Sequence, residues 1–315
     1  MGCGNLVSKD MGPADAVKTA PADVDAAVED EWLSGSPTCS TYDFPQPQQT
    51  MIFLDWDDTL FPTSQLLGKS GWNLQSRPEL WSDLSLTQLQ ESMLEEWQQA
   101  LYEYLSKASA ASDAVVILTN SVRPWVDHCL EAFAGKMCSA IKNIPGLKVV
   151  YAREYLPRAA QLEHRGCPVR VVLADPDEES NEHHQFMQEA KFQAMKKEVN
   201  GFYAQRSRSK QTSKNIISIG DAYYERNAAQ DLAFRCQAPQ GEILRLKTIV
   251  TPAEPSIALL TCRLKLGSAL GLGRIAEFDD DLDLDMNSKE GMQELADKLN
   301  LSWASFEQML PVAAG

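Results

Sequence analysis

The chain has no run of eighteen or more apolar residues, which excludes a membrane-spanning helix of ordinary length. It has no Cys-x-x-Cys pair. Its seven cysteines (Cys3, Cys39, Cys129, Cys138, Cys167, Cys236 and Cys262) are odd in number and scattered, which argues against a disulfide framework and against a zinc site. Positive charge is scarce as well: 29 Lys and Arg stand against 44 Asp and Glu, and the net charge of -15 is not relieved by any concentrated basic stretch. Such a surface repels a phosphate backbone, so nucleic acid is excluded as a partner. The extreme N-terminus lacks the apolar core of a signal peptide, and a reducing, cytoplasmic setting is expected.

What is present divides the chain into three stretches. Residues 1–49 are rich in Ala, Asp, Pro, Ser and Thr with little apolar periodicity, and read as a disordered tail. Its opening, Met1-Gly2-Cys3, matches the start of dually acylated proteins, although Leu6 stands where Ser or Thr is usual. Gly2 and Cys3 are therefore lipidation candidates, and two acyl chains would hold the protein at the cytoplasmic face of a membrane.

Residues 50–275 read as one α/β domain. Short apolar runs at 51–54, 114–118, 147–151, 215–219 and 247–250 predict buried strands, with a further candidate at 169–173. Between them, apolar positions at helical spacing predict a helix over 85–105, opened by a Ser85/Gln88 capping box, another after Pro124, and a third over 186–203. Alternating strands and helices imply right-handed crossovers and a doubly wound, mostly parallel sheet with ligands at the C-terminal strand edge. The stretch 175–182 reads as a solvated acidic loop. In 276–315 an acidic segment precedes a helix through Met292, Leu295, Leu299 and Phe306 that packs on the domain. The acids at 279–290 have calcium-loop spacing, but Leu284 occupies the position that needs Gly, so a solvated acidic edge is expected.

Chemistry concentrates where strands end. The first run closes on Asp55-Trp56-Asp57-Asp58-Thr59-Leu60, the second on Thr119-Asn120, and the fourth on Gly220-Asp221-Ala-Tyr-Tyr-Glu225. Carboxylates two apart at the edge of a parallel sheet suit nucleophile and acid/base roles, and further acids suit a hard cation. Taken together and in this order, the three motifs resemble those of the haloacid dehalogenase superfamily, with Glu225 in place of a second Asp.

The resemblance implies a Rossmannoid three-layer sandwich and a Mg2+-dependent phosphatase. Asp55 is then the nucleophile and Asp57 the acid/base. Mg2+ is held by Asp55, by Asp57 through its backbone carbonyl, by Asp221 and, directly or through water, by Glu225. Thr119, Asn120 and a lysine hold the substrate phosphate. Lys191 is preferred for that lysine over Lys196, Lys197 and Lys214. The two places where the family inserts caps hold no stretch of domain size here, so no large cap domain is expected and the substrate is a phosphorylated protein or a small phosphate ester. A non-catalytic, membrane-tethered phosphate-binding protein and a phosphotransferase remain as alternatives. Arg123, Trp125 and Trp56 fall near the strand edge as possible substrate contacts, with Trp125 more simply read as core.

Overall fold

The computed structural model describes residues 46–157, 179–204, 213–235 and 243–298. Gly2, Cys3, the candidate strand at 169–173, residues 175–178 of the acidic loop, Leu299 and Phe306 lie outside the described residues.

Among the described residues six strands form one all-parallel sheet: β1 (Thr50–Leu54), β2 (Ala114–Thr119), β3 (Leu147–Tyr151), β4 (Ser213–Gly220), β5 (Ile243–Val250) and β6 (Leu282–Asp285). Their order is β3-β2-β1-β4-β5-β6, the arrangement of a Rossmann-like α/β fold. Among the described residues the helices are α1 (Thr63–Leu67), α2 (Gln88–Ala111), α3 (Trp125–Phe133), α4 (Cys138–Lys142), α5 (Glu179–Ala204), α6 (Tyr223–Arg235), α7 (Ile257–Leu266), α8 (Leu272–Glu277) and α9 (Lys289–Lys298). Among the described residues no helix is long and apolar enough to cross a membrane.

The central strand shows why the run at 51–54 is continuously apolar. Successive side chains point to opposite faces, and both faces are covered. Ile52 and Leu54 join a core with α2, α3 and α7, including Trp97, Leu101, Cys129, Leu130, Ile257 and Leu260. Met51 and Phe53 join the other, with Phe192 and Met195 of α5 and Ala228 and Leu232 of α6. Parallel register then aligns the strand ends. Leu54 pairs with Ile117 and with Ile219, so Asp55 stands level with Gly220 and beside the end of β2.

Several expected boundaries move. The tail does not extend to residue 49. Pro47–Gln49 form a 3-10 turn whose Gln49 carbonyl accepts from the Tyr203 hydroxyl at 2.7 Å. The first long helix starts later than the Ser85/Gln88 box predicts, because Thr87 caps it reciprocally with Gln90. Residues 179–182 are not loop but the first turn of α5. The largest correction is at the C-terminal side. The acidic stretch is not a solvated edge but includes β6, with Leu282 and Leu284 buried and paired to Lys247 and Ile249. Its acids have partners: Asp283 takes both Arg226 nitrogens and the Thr248 hydroxyl, and Asp285 takes the Tyr223 hydroxyl at 2.6 Å.

Candidate active site

At the C-terminal edge of the sheet, Asp55 leaves β1 with its backbone N–H donating to the Ile219 carbonyl at 2.9 Å, and its side chain is buried. Gly220 ends β4 beside it, and Asp221 follows. Glu225, in the first turn of α6, folds back under Gly220 so closely that a Cβ there would lie 2.6 Å from the Glu225 Cγ. Only a residue without a side chain allows this approach. One Glu225 oxygen accepts from the Ala222 N–H at 3.1 Å, at the start of its own helix.

Lys191 enters from the middle of α5. It lies on the buried stripe that also carries Met187 and Met195, four residues to either side, and has no solvent exposure. Its Nζ donates to Asp55 Oδ1 and, at 2.7 Å, to Glu225 Oε1. Lys196 and Lys197 are exposed on the other side of α5. Lys214 stands over the Tyr203 ring.

Carboxylate oxygens of Asp55, Asp221 and Glu225 lie within 4.8 Å of one another. At that separation each ionised pair repels by about 3 kcal/mol or more at an effective dielectric of ~20. One ammonium cannot balance three carboxylates, and the chemistry of the group shows it. Burial, with Glu225 and Asp57 adding to it against the pull of Lys191, lifts Asp55 to about 8. Burial lifts Asp221 well above its ordinary range, with Glu225 and Asp55 contributing. Glu225 is raised by burial in spite of Lys191. Burial alone would lower Lys191, but the two ion pairs outweigh it and keep the ammonium charged. A largely buried, hard-oxygen group with surplus negative charge could hold a metal ion.

Asp57 stands to one side of this group with its carboxylate fully engaged. Oδ1 accepts from Thr63 Oγ1 at 2.7 Å and from Trp125 Nε1 at 2.9 Å. Oδ2 accepts from Ser121 Oγ at 2.8 Å and from Thr119 Oγ1 at 3.2 Å. Asp58 adopts a positive φ of 57° and turns away to Ser64, whose N–H and hydroxyl it accepts at 2.9 and 2.5 Å. Burial raises Asp58 to about 6 against those bonds.

The expected residues thus converge, but not all in the expected posture. The Asp57 side chain lies outside the trio of Asp55, Asp221 and Glu225, and the Thr119 hydroxyl faces Asp57. Asn120 donates to the Met187 carbonyl at 3.4 Å, and its Oδ1 is buried without a hydrogen-bond partner. Trp56 is fully buried and stacked on Phe61 at 5.5 Å, so it cannot contact substrate. Arg123 pairs with Glu154 at 2.9 Å and covers the Tyr151 ring. Ser121 and Thr63 were missed. Both carry local signals: Ser121 is the first hydroxyl after β2, and Thr63-Ser64 repeats the Asp57-Asp58 pair six residues on.

Comparison of the chain with protein-family models, with curated proteins and with solved structures finds no match.

Proposed function

We propose that the chain is a Mg2+-dependent phosphohydrolase of the haloacid dehalogenase type, working through an aspartyl phosphate on Asp55. The observation that carries this reading is the meeting of buried Asp55, Glu225 and Lys191 with half-buried Asp221, brought from β1, α6, α5 and the end of β4 to one edge of a parallel sheet. An isolated structural ion pair needs one acid. Three around one lysine leave a charge deficit that a divalent cation and a phosphoryl group together would use.

Asp55, Asp221 and Glu225 would hold the cation through their side chains, with Asp57 offering its backbone carbonyl. Bound there, Mg2+ withdraws charge from the phosphoryl oxygens so that an anionic nucleophile can approach. Lys191 serves two groups. It orients the Asp55 carboxylate through Oδ1 and leaves a donor for a phosphoryl oxygen. Thr119 and Asn120, at the end of β2, would add polar contacts to the phosphate once the Thr119 hydroxyl turns from Asp57 and the Asn120 amide from the Met187 carbonyl.

Asp55 attacks phosphorus while Asp57 gives a proton to the departing oxygen. In the second half, Asp57 takes a proton from the water that attacks the phosphoenzyme, and Asp55 is regenerated. The segment 61–87 holds only α1 and a 3-10 turn, which suits an open site and favours a phosphoprotein substrate over a small ester. Acylation at Gly2 and Cys3 would place this activity at the cytoplasmic face of a membrane.

The test is Mg2+-dependent phosphate release from 4-nitrophenyl phosphate. Wild type is expected to turn over and Asp55→Asn to fall to background; equal rates for the two proteins, or none from wild type with any phosphoester, reject the reading.

A further inference from the structure

A carboxylate offers about four lone-pair directions. All four of Asp57 are occupied, by Thr63, Trp125, Ser121 and Thr119. Three of these donors are hydroxyls, which rotate and can accept as readily as donate. The fourth, the indole N–H, only donates. It also cannot turn away. Trp125 is 6% exposed, and its ring meets Phe61 edge-on at 6.5 Å and Trp81 at 5.5 Å. Trp81 is fixed in turn by its own indole, which donates to the Gln75 carbonyl at 2.6 Å. The short segment between the first motif and α2 therefore aims one indole N–H at one oxygen of Asp57. Filling space would not require this, since a phenyl ring would pack against Phe61 and Trp81 as well.

We propose that Trp125 is a positioning residue for Asp57. It keeps Oδ1 a permanent acceptor and so presents Oδ2, whose partners are the reversible hydroxyls of Ser121 and Thr119, to the leaving oxygen. This rests on the phosphohydrolase reading. In the first half-reaction an Asp55 oxygen bonds to phosphorus, the bond from phosphorus to the leaving oxygen breaks, and the proton on Asp57 Oδ2 moves to that oxygen. In the second, water oxygen bonds to phosphorus, the bond from phosphorus to Asp55 breaks, and a proton from water returns to Oδ2.

The experiment compares Trp125→Phe with wild type in the first turnover, before hydrolysis of the phosphoenzyme contributes. Two substrates are used: an alkyl phosphate, whose leaving oxygen needs a proton, and 4-nitrophenyl phosphate, whose leaving oxygen does not. Trp125→Phe is expected to slow alcohol release from the alkyl ester ~10- to 100-fold, the worth of one hydrogen bond to a charged group. Nitrophenol release should change less than about threefold and KM should hold for both. A second readout needs no turnover. The indole proton resonance absent from Trp125→Phe should move upfield in Asp57→Asn. Should Trp125→Phe fail to fold, Ser121→Ala carries the same comparison, with the same selectivity and a smaller loss. Equal slowing of both substrates, no slowing of either, or an indole resonance indifferent to Asp57 overturns the proposal and leaves the phosphohydrolase reading standing. Absence of Mg2+-dependent turnover in wild type overturns both.

Discussion

Lys191→Met removes the one ammonium that touches two buried carboxylates, and its effect on stability can be worked out with its dependence on pH. Without that charge, the ligand-free protein must take up about one more proton, and Glu225 is the acid placed to receive it. Holding a proton on a group whose ordinary value is 4.5 costs ~1.4 kcal/mol for each pH unit above that value. At pH 8 this amounts to about 5 kcal/mol, inside the range for breaking a buried ion pair. At pH 5 it is under ~1 kcal/mol. The sign follows from linkage: an acid whose folded value is raised stabilises the folded state below its unfolded value, and that stability is lost as pH rises through the folded value. For a domain of this size ~1 kcal/mol moves Tm by roughly 2–4 °C, so the variant should melt ~10–20 °C below wild type at pH 8 and only a few degrees below at pH 5. Circular dichroism melts of both proteins in EDTA measure this. Equal losses at the two pH values would refute the shared-proton account of the site.

Three further outcomes follow from the same geometry. Mg2+ at ~100 times its Kd should stabilise wild type by about 2.7 kcal/mol, several degrees in Tm, while Asp221→Asn should lose most of that shift in the same melts. Gly220→Ala places a Cβ 2.6 Å from Glu225 Cγ and should lower both stability, by roughly 1–3 kcal/mol, and phosphate release, as Glu225 is pushed off Lys191. Lys247, buried in β5 and donating to Asn215 Oδ1 at 2.9 Å and to the Ala276 carbonyl at 3.0 Å, is pushed down to about 7, chiefly by burial and then by Arg245. A lysine lowered in the folded state lets stability rise with pH from about 7 towards 10.5, so Lys247→Met should flatten the Tm profile over that window; an unchanged slope in denaturation across pH would reject this assignment.

The central fold was legible because β1, β2 and β4 are buried on both faces and therefore read as mostly apolar runs, broken in β4 by Asn215 and Ser218, each ending in the residues that carry chemistry. Asp55, Thr119 and Asp221 could be found for that reason alone. Lys191 was harder. Its helix has a low mean hydropathy and several lysines, and only the four-residue spacing of Met187, Lys191 and Met195 marks it as inward-facing. The four-donor hold on Asp57 was not legible, since it joins residues up to 68 positions apart whose meeting depends on how Phe61, Trp81 and Trp125 pack. Trp125 looked like core and is core; its N–H is what the packing aims.

The strand β6 teaches the opposite lesson from the same kind of residue. Its Leu-Asp-Leu-Asp alternation has the period of a half-buried edge strand, but the density of acids suggested a solvated stretch. Both regions are dense in carboxylates and differ in what answers them. On β6 and just before it the charges meet donors: Arg226 and Thr248 for Asp283, Tyr223 for Asp285, and the Leu246 N–H for Asp281. There the folded state lowers Asp283 and Asp285 below their usual range, chiefly through the bonds from Arg226 and Tyr223. At the edge of β1 and β4 the same fold gathers a half-buried Asp221 with buried Asp55 and Glu225, the latter two sharing one lysine, and raises all three. A chain under selection for stability alone would answer those charges or replace them. Three acids short of positive charge at the opening of a parallel sheet are instead a group that could hold a metal ion, which is the use the proposed phosphohydrolase makes of them.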